Sequence, residues 1–255
     1  MTVFARLGLS AAFAAHLAGV ALAQDQKADD GTDPTRLSTS FSVSYEGVDL
    51  PTSGDLRTVF LKYGTPISAD GRTGLNLKLP FVSTSFGESG FGVSDLSVKL
   101  TRVAAVTPTY GIVISAETVF NTADAPDRGA GVDVLKLSGV YAIFLGNGAI
   151  FAPSLQHSMS MGDPDSGRSK VSLTTLDLYY VPRLANPQAY MTLDPAINYD
   201  WETDKLFGAL AVTYGRSVDL GIAGNESFFV KPSIGIGNDR VADFGIEVGF
   251  KVVGF

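Results

Sequence analysis

Long stretches in which apolar and polar residues alternate are the sequence feature that most limits how this chain can fold. Between residues 37 and 46, apolar side chains and one threonine occupy every second position, with four serines and a glutamate between them. Such alternation predicts a β-strand with one apolar and one polar face. Several stretches reach the roughly 9 to 11 residues that a tilted transmembrane strand needs, whereas ordinary strands have about 5 to 6. The pattern therefore favours strands that cross a membrane.

The alternation recurs often enough to build a closed sheet. Twelve segments show it, at residues 37–46, 56–67, 73–84, 94–104, 108–121, 131–144, 148–161, 169–183, 188–202, 205–217, 227–237 and 243–253. Their number is even, as in bacterial single-chain barrels, and closure would satisfy every backbone group, which lipid cannot do. We predict an all-β fold, a transmembrane antiparallel up-and-down β-barrel of about twelve strands over residues 37–255. A break in the alternation at Thr174 and Thr175 predicts a β-bulge, and a bulge or end distortion is expected near Val253 and Gly254.

The N-terminal residues are typical of an exported protein. An apolar run from Leu7 to Ala23 follows Arg6, and small residues precede Gln24, which predicts a signal peptide over residues 1–23. Residues 24–36 are charged and contain Gly and Pro, as in a flexible periplasmic lead-in. The chain has no cysteine, so neither disulfides nor a lipid anchor on cysteine is expected. We predict export to the cell outer membrane of a Gram-negative bacterium.

The segments between the predicted strands alternate in character. Candidate outer loops, NTADAPDRGAG and GDPDSGR, are charged and rich in Gly and Pro, whereas candidate inner turns, LGNG and ANPQ, are short. Outer-membrane barrels show the same asymmetry between extracellular loops and periplasmic turns. The link at Thr203 and Asp204 is the exception, because it predicts a very tight outer turn.

The last predicted strand, FGIEVGFKVVGF, must pair with the first strand to close the barrel. An alternating strand with a terminal aromatic residue resembles the signal that the barrel-assembly machinery of the bacterial outer membrane reads. The residues that would carry this signal are Phe244, Ile246, Val248, Phe250, Val252 and Phe255. The machinery and the outer-membrane lipids are therefore expected partners.

Three stretches resemble a known family. LNLKLPFVSTS, SGFGVSDLSVKL and the final FFVKPSIGIGNDRVADFGIEVGFKVVGF resemble the outer-membrane proteins of the MetA-pathway of phenol degradation family. Members typically show a G-x-G-D-L turn, and here Val93 and Ser94 stand between Gly92 and Asp95. The resemblance implies a barrel that serves as a channel for aromatic or other small hydrophobic compounds, and it implies no catalytic residues.

The polar faces of the strands predict a charged lumen. Seven carboxylates and four lysines are expected to line it: Asp95, Lys99, Glu117, Lys136, Asp177, Asp194, Asp200, Glu202, Lys231, Glu247 and Lys251. Asp194, Asp200 and Glu202 cluster on one strand. The acidic surplus would favour cations in a water-filled pore, although the same charges could pair into a closed plug. We predict a passive channel or uptake route for small-molecule solutes.

Two other functions are weighed against the channel. His157 is the one histidine outside the predicted signal peptide, and its position predicts that it faces lipid near the outer leaflet. It could serve an outer-leaflet lipid hydrolase with Ser166, Ser158 or Ser160 as nucleophile, because such chemistry pairs a base with a nucleophile. The other alternative is a closed structural barrel. No metal site or cofactor is expected, and the net charge of −7 argues against nucleic acid as a partner.

Overall fold

The computed structural model describes residues 29–87 and 89–255, so the predicted signal peptide lies outside the described residues. The described residues form one antiparallel sheet of thirteen strands. The strands are β1 (Ser40–Asp49), β2 (Asp55–Pro66), β3 (Thr73–Thr84), β4 (Gly92–Val93), β5 (Ser97–Val106), β6 (Tyr110–Val119), β7 (Val134–Phe144), β8 (Ile150–Ser160), β9 (Ser172–Val181), β10 (Ala189–Asp200), β11 (Lys205–Val218), β12 (Asn225–Ile236) and β13 (Phe244–Val253). One 3-10 turn lies at Pro126–Arg128. No helix among the described residues is long and apolar enough to span a membrane.

Twelve long strands close into a ring. β1 pairs with β2 on one side and with β13 on the other, from Ser40 opposite Val253 to Asp49 opposite Phe244. The short β4 pairs with β3 at Phe81 and Val82. It lies on the same side of β3 as β5, which pairs with residues 73–78 of that strand. The predicted twelve-stranded antiparallel barrel is therefore confirmed. Among the described residues, closure gives each of the twelve long strands a partner on both sides, which is what a lipid environment requires.

The outer surface of the barrel is apolar. Along β1, Phe41, Val43 and Tyr45 are exposed, while Ser44 between them is buried. Exposed aromatic rings form two belts on this surface. One belt contains Phe120, Trp201 and Phe244, and the other contains Tyr63, Tyr141, Tyr214 and Phe228, whereas Tyr45 lies near the middle of β1. Aromatic belts on either side of an apolar band are typical of barrels seated in a bilayer.

The two ends of the barrel differ in the length of their links. We call the end with links 50–54, 85–96, 120–133, 161–171, 201–204 and 237–243 the loop end. The other end, which we call the turn end, carries links 67–72, 107–109, 145–149, 182–188 and 219–224, and β1 begins and β13 ends there. The segments predicted as outer loops all lie at the loop end. The predicted tight turn is also present, with Asp204 in a left-handed conformation at φ 54°.

The predicted bulge at Thr174 and Thr175 was wrong. β9 pairs with β8 in an unbroken register, with His157 opposite Thr174 and Gln156 opposite Thr175. Thr174 tolerates an outward position because its hydroxyl lies 3.0 Å from His157 Nδ1 and accepts a hydrogen bond from Trp201 Nε1 at 2.9 Å.

The registers place irregularities elsewhere. The register between β5 and β6 shifts between Val103 and Ala105. β13 stays in register to Val253, and the backbone turns left-handed at Gly254 with φ 78°. The expected distortion at the end of β13 is therefore present, but as a change of backbone direction after the strand and not as a bulge within it.

Candidate functional site

One half of the inner wall carries a row of lysines. Lys62, Lys78, Lys99 and Lys136 extend from β2, β3, β5 and β7, and we call them the lysine wall. The strand register places Lys62 directly opposite Lys78. Like charges on neighbouring strands repel one another, so this arrangement needs carboxylates nearby.

Two glutamates supply that compensation. Glu117 of β6 stands opposite both Lys99 and Lys136 in the register, and its Oε1 lies 4.0 Å from the Nζ atoms of Lys78 and Lys136. Glu247 of β13 lies 3.2 Å from Lys62 Nζ and accepts a 2.6 Å hydrogen bond from the Ser44 hydroxyl. The lysine wall is thus partly neutralised by ion pairs that cross between strands.

The opposite half of the inner wall carries carboxylates. Asp177 of β9 and Asp194 of β10 lie on the same strand faces as inward-pointing Tyr179 and buried Thr192, and we call them the acidic wall. Thr192 donates a 3.3 Å hydrogen bond to Asp194. The lumen therefore has a positive side and a negative side, which creates an electric field across it.

Residues 29–38, which we call the lumen segment, lie inside the turn end. Asn225 donates to the Asp29 carbonyl at 2.9 Å, Lys251 donates to the Asp30 carbonyl, and the Tyr179 hydroxyl donates to the Thr32 carbonyl at 3.0 Å. These partners lie on β12, β13 and β9, so the segment crosses the opening. Thr35 packs so closely on β6 that a Cβ added at Gly111 would lie 2.4 Å from its methyl group.

This placement differs from the flexible lead-in predicted for residues 24–36. Residues 29–36 are held against the inner wall, whereas 24–28 lie outside the described residues. The segment also folds on itself, because the Asp33 carboxylate accepts hydrogen bonds from both the backbone and the hydroxyl of Thr35, and Ser38 donates to Asp29. Its Asp, Thr and Gly residues satisfy their own backbone polar groups, as such residues do in turns.

The lumen segment leaves cavities on both of its sides. A cavity of about 900 Å³ lies between the segment and the links at residues 148–150 and 181–188. Another, of about 380 Å³, lies between the segment and the inner face of β3, β5, β6 and β7. A third, of about 350 Å³, lies against the lysine wall. The interior therefore contains several spaces lined by both polar and apolar atoms rather than one packed apolar core.

The loop end is covered by the link at residues 120–133, which folds toward β3. The inward-facing Thr84 donates a 2.6 Å hydrogen bond to Asp127. Arg128 is buried, donates to Asp124 at 2.8 Å, and accepts a bond from Ser94 at its carbonyl. A Cβ at Gly92 would lie 2.0 Å from the Arg128 guanidinium, so a larger residue there would have to displace that group.

The contact between Arg128 and Asp124 lowers the pKa of the Asp124 carboxyl. The hydrogen bond from Arg128 holds the pKa of the Asp124 carboxyl below its ordinary value of 3.8, and the bond from the Val93 backbone N–H adds to the effect. Both donors favour the charged carboxylate. Asp124 is therefore ionised wherever this link keeps its native conformation at neutral pH.

Three predicted lumen residues lie at the loop end. Asp95 is buried in the link before β5, where its carboxylate accepts bonds from the backbone N–H groups of Thr122, Ala123 and Ala130. Asp200 ends β10 and accepts bonds from the backbone of Glu202 and the hydroxyl of Thr203, and Glu202 itself is exposed in the turn. The expected cluster of Asp194, Asp200 and Glu202 is thus not formed, because the polar alternation continues past the strand into a capped turn.

The other predicted lumen residues lie on inward-facing positions of the strands. Lys99 and Lys136 belong to the lysine wall, Glu117 lies between them, and Asp177 and Asp194 form the acidic wall. Lys231 stands opposite Glu247 in the register between β12 and β13. Lys251 lies with its Nζ 4.5 Å from the centre of the Tyr190 ring.

Sequence reasoning missed three charged residues that share this interior. Lys62 and Lys78 complete the lysine wall, and Glu46 stands opposite Glu247. The signal was present, because Lys62 and Lys78 occupy polar positions between apolar ones in their segments. With these three residues included, and with Asp95, Asp200 and Glu202 at the loop end, the named inward-facing residues of the strands are six lysines and five carboxylates, so the predicted acidic surplus is not present.

The residues proposed for a lipid hydrolase are not brought together. His157 is paired with Thr174, as described, on the outer surface. Ser158 is buried on the opposite face of β8, and the Ser160 hydroxyl accepts the backbone N–H of Val171. Ser166 is exposed in the link at 161–171. Within residues 29–87 and 89–255, no hydrogen bond joins His157 to a serine.

The residues predicted to carry the assembly signal differ in how exposed they are. Phe244, Ile246 and Val248 are exposed on the outer surface, and Phe255 is exposed beyond the strand. Phe250 packs against Phe228 with ring centres 5.1 Å apart, and Val252 is buried.

The architecture is that of a closed, membrane-spanning antiparallel β-barrel. Among solved structures, the chain is similar to the COG4313 outer membrane channel from Pseudomonas putida F1, with a TM-score of 0.66 and 13% identity over 88% of this chain and 98% of that one. It is also similar to the NanC porin, with a TM-score of 0.58 and 8% identity over 85% and 100% of the two chains. The KdgM porin gives a TM-score of 0.54 and 9% identity over 84% and 98%. No family model matches the chain, and no curated protein matches it by sequence.

Proposed function

We propose that this protein is a passive channel of the bacterial outer membrane that admits small molecules. The observation that carries the proposal is the contrast between the two faces of the barrel wall. The outer face is apolar with two aromatic belts, whereas the inner face carries lysines, carboxylates and hydroxyl groups around cavities of about 350 to 900 Å³. A polar lumen inside an apolar wall is the arrangement of porins. The structural similarity to channels and porins supports the same conclusion.

The proposal includes the location and orientation of the barrel. The predicted signal peptide would direct export, the loop end would face the cell exterior, and the turn end would face the periplasm. The exposed residues of β13 would be read by the barrel-assembly machinery. Replacing Phe255 with Ala should then lower the amount of folded barrel in outer-membrane fractions, and an unchanged amount would argue against that role.

The solute class rests on the resemblance to the MetA-pathway of phenol degradation family. The Gly90–Leu96 stretch that carries the resemblance lies in the link before β5, where Gly92 accommodates Arg128. Membership of that family would imply transport of aromatic or other small hydrophobic compounds, and the similarity to the COG4313 channel supports a transport role. We propose this class as the first to be screened.

The test of the channel function is solute entry into liposomes. The folded chain 24–255 would be incorporated into vesicles, and swelling would be followed in arabinose, glucose and sucrose. A passive channel gives swelling that exceeds protein-free vesicles and falls with solute size. Rates equal to those of empty vesicles for all three sugars, from a correctly folded barrel, would contradict the proposal and favour a closed structural barrel.

The acidic wall is proposed to attract cations within the lumen. Replacing Asp177 and Asp194 with Asn should move the reversal potential in a KCl gradient toward anion preference, because negative charge is removed from the wall. The same change at Asp200 and Glu202, which lie at the loop end, serves as the matched control. Equal shifts of the reversal potential in both variants would show that the acidic wall does not set the ion preference.

A further inference from the structure

The cavity of about 350 Å³ against the inner wall has an unusual charge balance. Its lining contains Lys62, Lys78, Lys99 and Lys251 but only one carboxylate, that of Glu117. The remaining polar lining is provided by serine, threonine and asparagine side chains, which can donate hydrogen bonds. The volume lies at the low end of the range of about 300 to 1,000 Å³ that is usual for small-molecule sites.

The carboxylates near this cavity do not fully compensate Lys62, Lys78 and Lys99. Glu117 is 4.0 Å from Lys78 and is shared with Lys136, which lies outside the cavity lining. Glu247 compensates Lys62 at 3.2 Å. No ion pair joins Lys99 to a carboxylate among the described residues, although the register places Lys99 opposite Glu117. The wall therefore retains positive charge inside a protein interior, where charges are less screened than in water.

We propose that this cavity is a binding subsite for the carboxylate of a small organic anion that passes through the channel. The ammonium groups of Lys78 and Lys99 provide the attraction, and the neighbouring hydroxyl and amide groups replace the water that the anion loses. The inference rests on the proposed channel function and specifies which solutes it favours. It also reverses locally the cation preference expected from the sequence, since the acidic wall lies on the other side of the lumen.

Three sugars of similar size and different charge test the subsite. They are glucose, gluconate and protonated glucosamine, whose entry into liposomes would be compared for the intact barrel. Gluconate should enter faster than glucosamine. Lys78→Gln and Lys99→Gln should each lower gluconate entry about threefold, because each removes one favourable charge contact, and should leave glucose entry unchanged. Lys99→Arg keeps the positive charge, so its rate of gluconate entry should equal that of the unmodified barrel.

Two further measurements separate the possible failures. Lys170→Gln, at an exposed lysine of the loop end, is the matched control and should leave all three rates unchanged. Calorimetric titration of gluconate into the folded barrel in detergent tests the subsite without flux, and Lys99→Gln should weaken that binding by a similar factor. If none of the three solutes enters, the channel function is wrong. The calorimetric titration then tests the subsite by itself, because the subsite is supported only if gluconate binds and Lys99→Gln weakens that binding. If all three enter and neither lysine variant alters gluconate entry or binding, the subsite is wrong and the channel function stands.

Discussion

The two ends of the lumen are both covered by the chain, but they are held in different ways. At the loop end, the link at 120–133 is fixed to the link at 85–96 by buried Asp95 and buried Arg128. At the turn end, the lumen segment is held mainly through its backbone carbonyls, by side chains of three separate strands. Buried charge networks are costly to break, whereas the bonds to the lumen segment include two neutral ones, from Tyr179 and Asn225, which contribute little each. We infer that the loop end is a fixed constriction and the turn end a removable cover.

The largest effect should come from breaking the fixed end. Asp95→Ala removes the acceptor of three backbone N–H groups in a buried position and should lower the free energy of unfolding of the loop end by about 2–4 kcal/mol. Limited proteolysis would show cleavage within residues 120–133. Asp163→Ala, at an exposed carboxylate of a neighbouring link, is the control. Equal resistance of both variants to cleavage would mean that Asp95 does not anchor this link.

The next largest effect should come from displacing the cover. Gly111→Val places a side chain where Thr35 lies and should push the lumen segment off β6, raising single-channel conductance about twofold or more. Gly139→Val adds the same side chain to neighbouring β7, where a Cβ meets nothing within 4 Å. An equal rise of conductance in both variants would show that a change in the barrel wall, and not displacement of the lumen segment, causes the rise.

A smaller effect is expected from loosening one bond of the cover. Tyr179→Phe removes the hydroxyl that donates to the Thr32 carbonyl, a bond that contributes about 1 kcal/mol. Openings of the turn end should become about fivefold more frequent in single-channel records. Tyr180→Phe, one position away on the outer face of β9, is the matched control. An unchanged opening frequency in Tyr179→Phe would show that this bond does not hold the segment.

The smallest effect should appear as a pH dependence of the loop end. The folded pKa of Asp124 lies below its ordinary value of 3.8, so its contribution to stability is full above that value and is lost as pH falls through the depressed pKa. The protection of the backbone amides of residues 120–133 against hydrogen exchange, taken relative to the intrinsic rate at each pH, should therefore stay high from neutral pH to about 4 and fall below it. Asp124→Asn should remove that step. A step at the same pH in the variant would assign it to another carboxylate.

The strands of the barrel wall could be predicted from the sequence better than the residues that lie inside the lumen and at its ends. Alternation marks each strand locally, so all twelve long strands could be found, including β2, which carries Lys62. Capped turns at the strand ends could not be distinguished from strand, because Asp200 and Glu202 keep the same alternation as Asp194. Asp95 was misplaced for a related reason, since β5 begins only at Ser97.

The lumen segment could not have been predicted from the sequence. Its composition is the same as that of a solvated linker, and its stabilising partners are distant in the chain. Tyr179 is 147 residues from Thr32, and Lys251 is 221 residues from Asp30. Only closure of the barrel brings these donors to the turn end, so no local pattern records them.

The role of the lumen segment and the channel itself are best tested by the single-channel conductance of two barrels in planar bilayers, the chain 24–255 and a chain that begins at residue 39. We expect discrete conductance steps for both, with larger steps in the shorter chain because the cover of the turn end is gone. Steps of equal size would show that the lumen segment does not limit the pathway. Silence from both correctly folded barrels would contradict the channel itself.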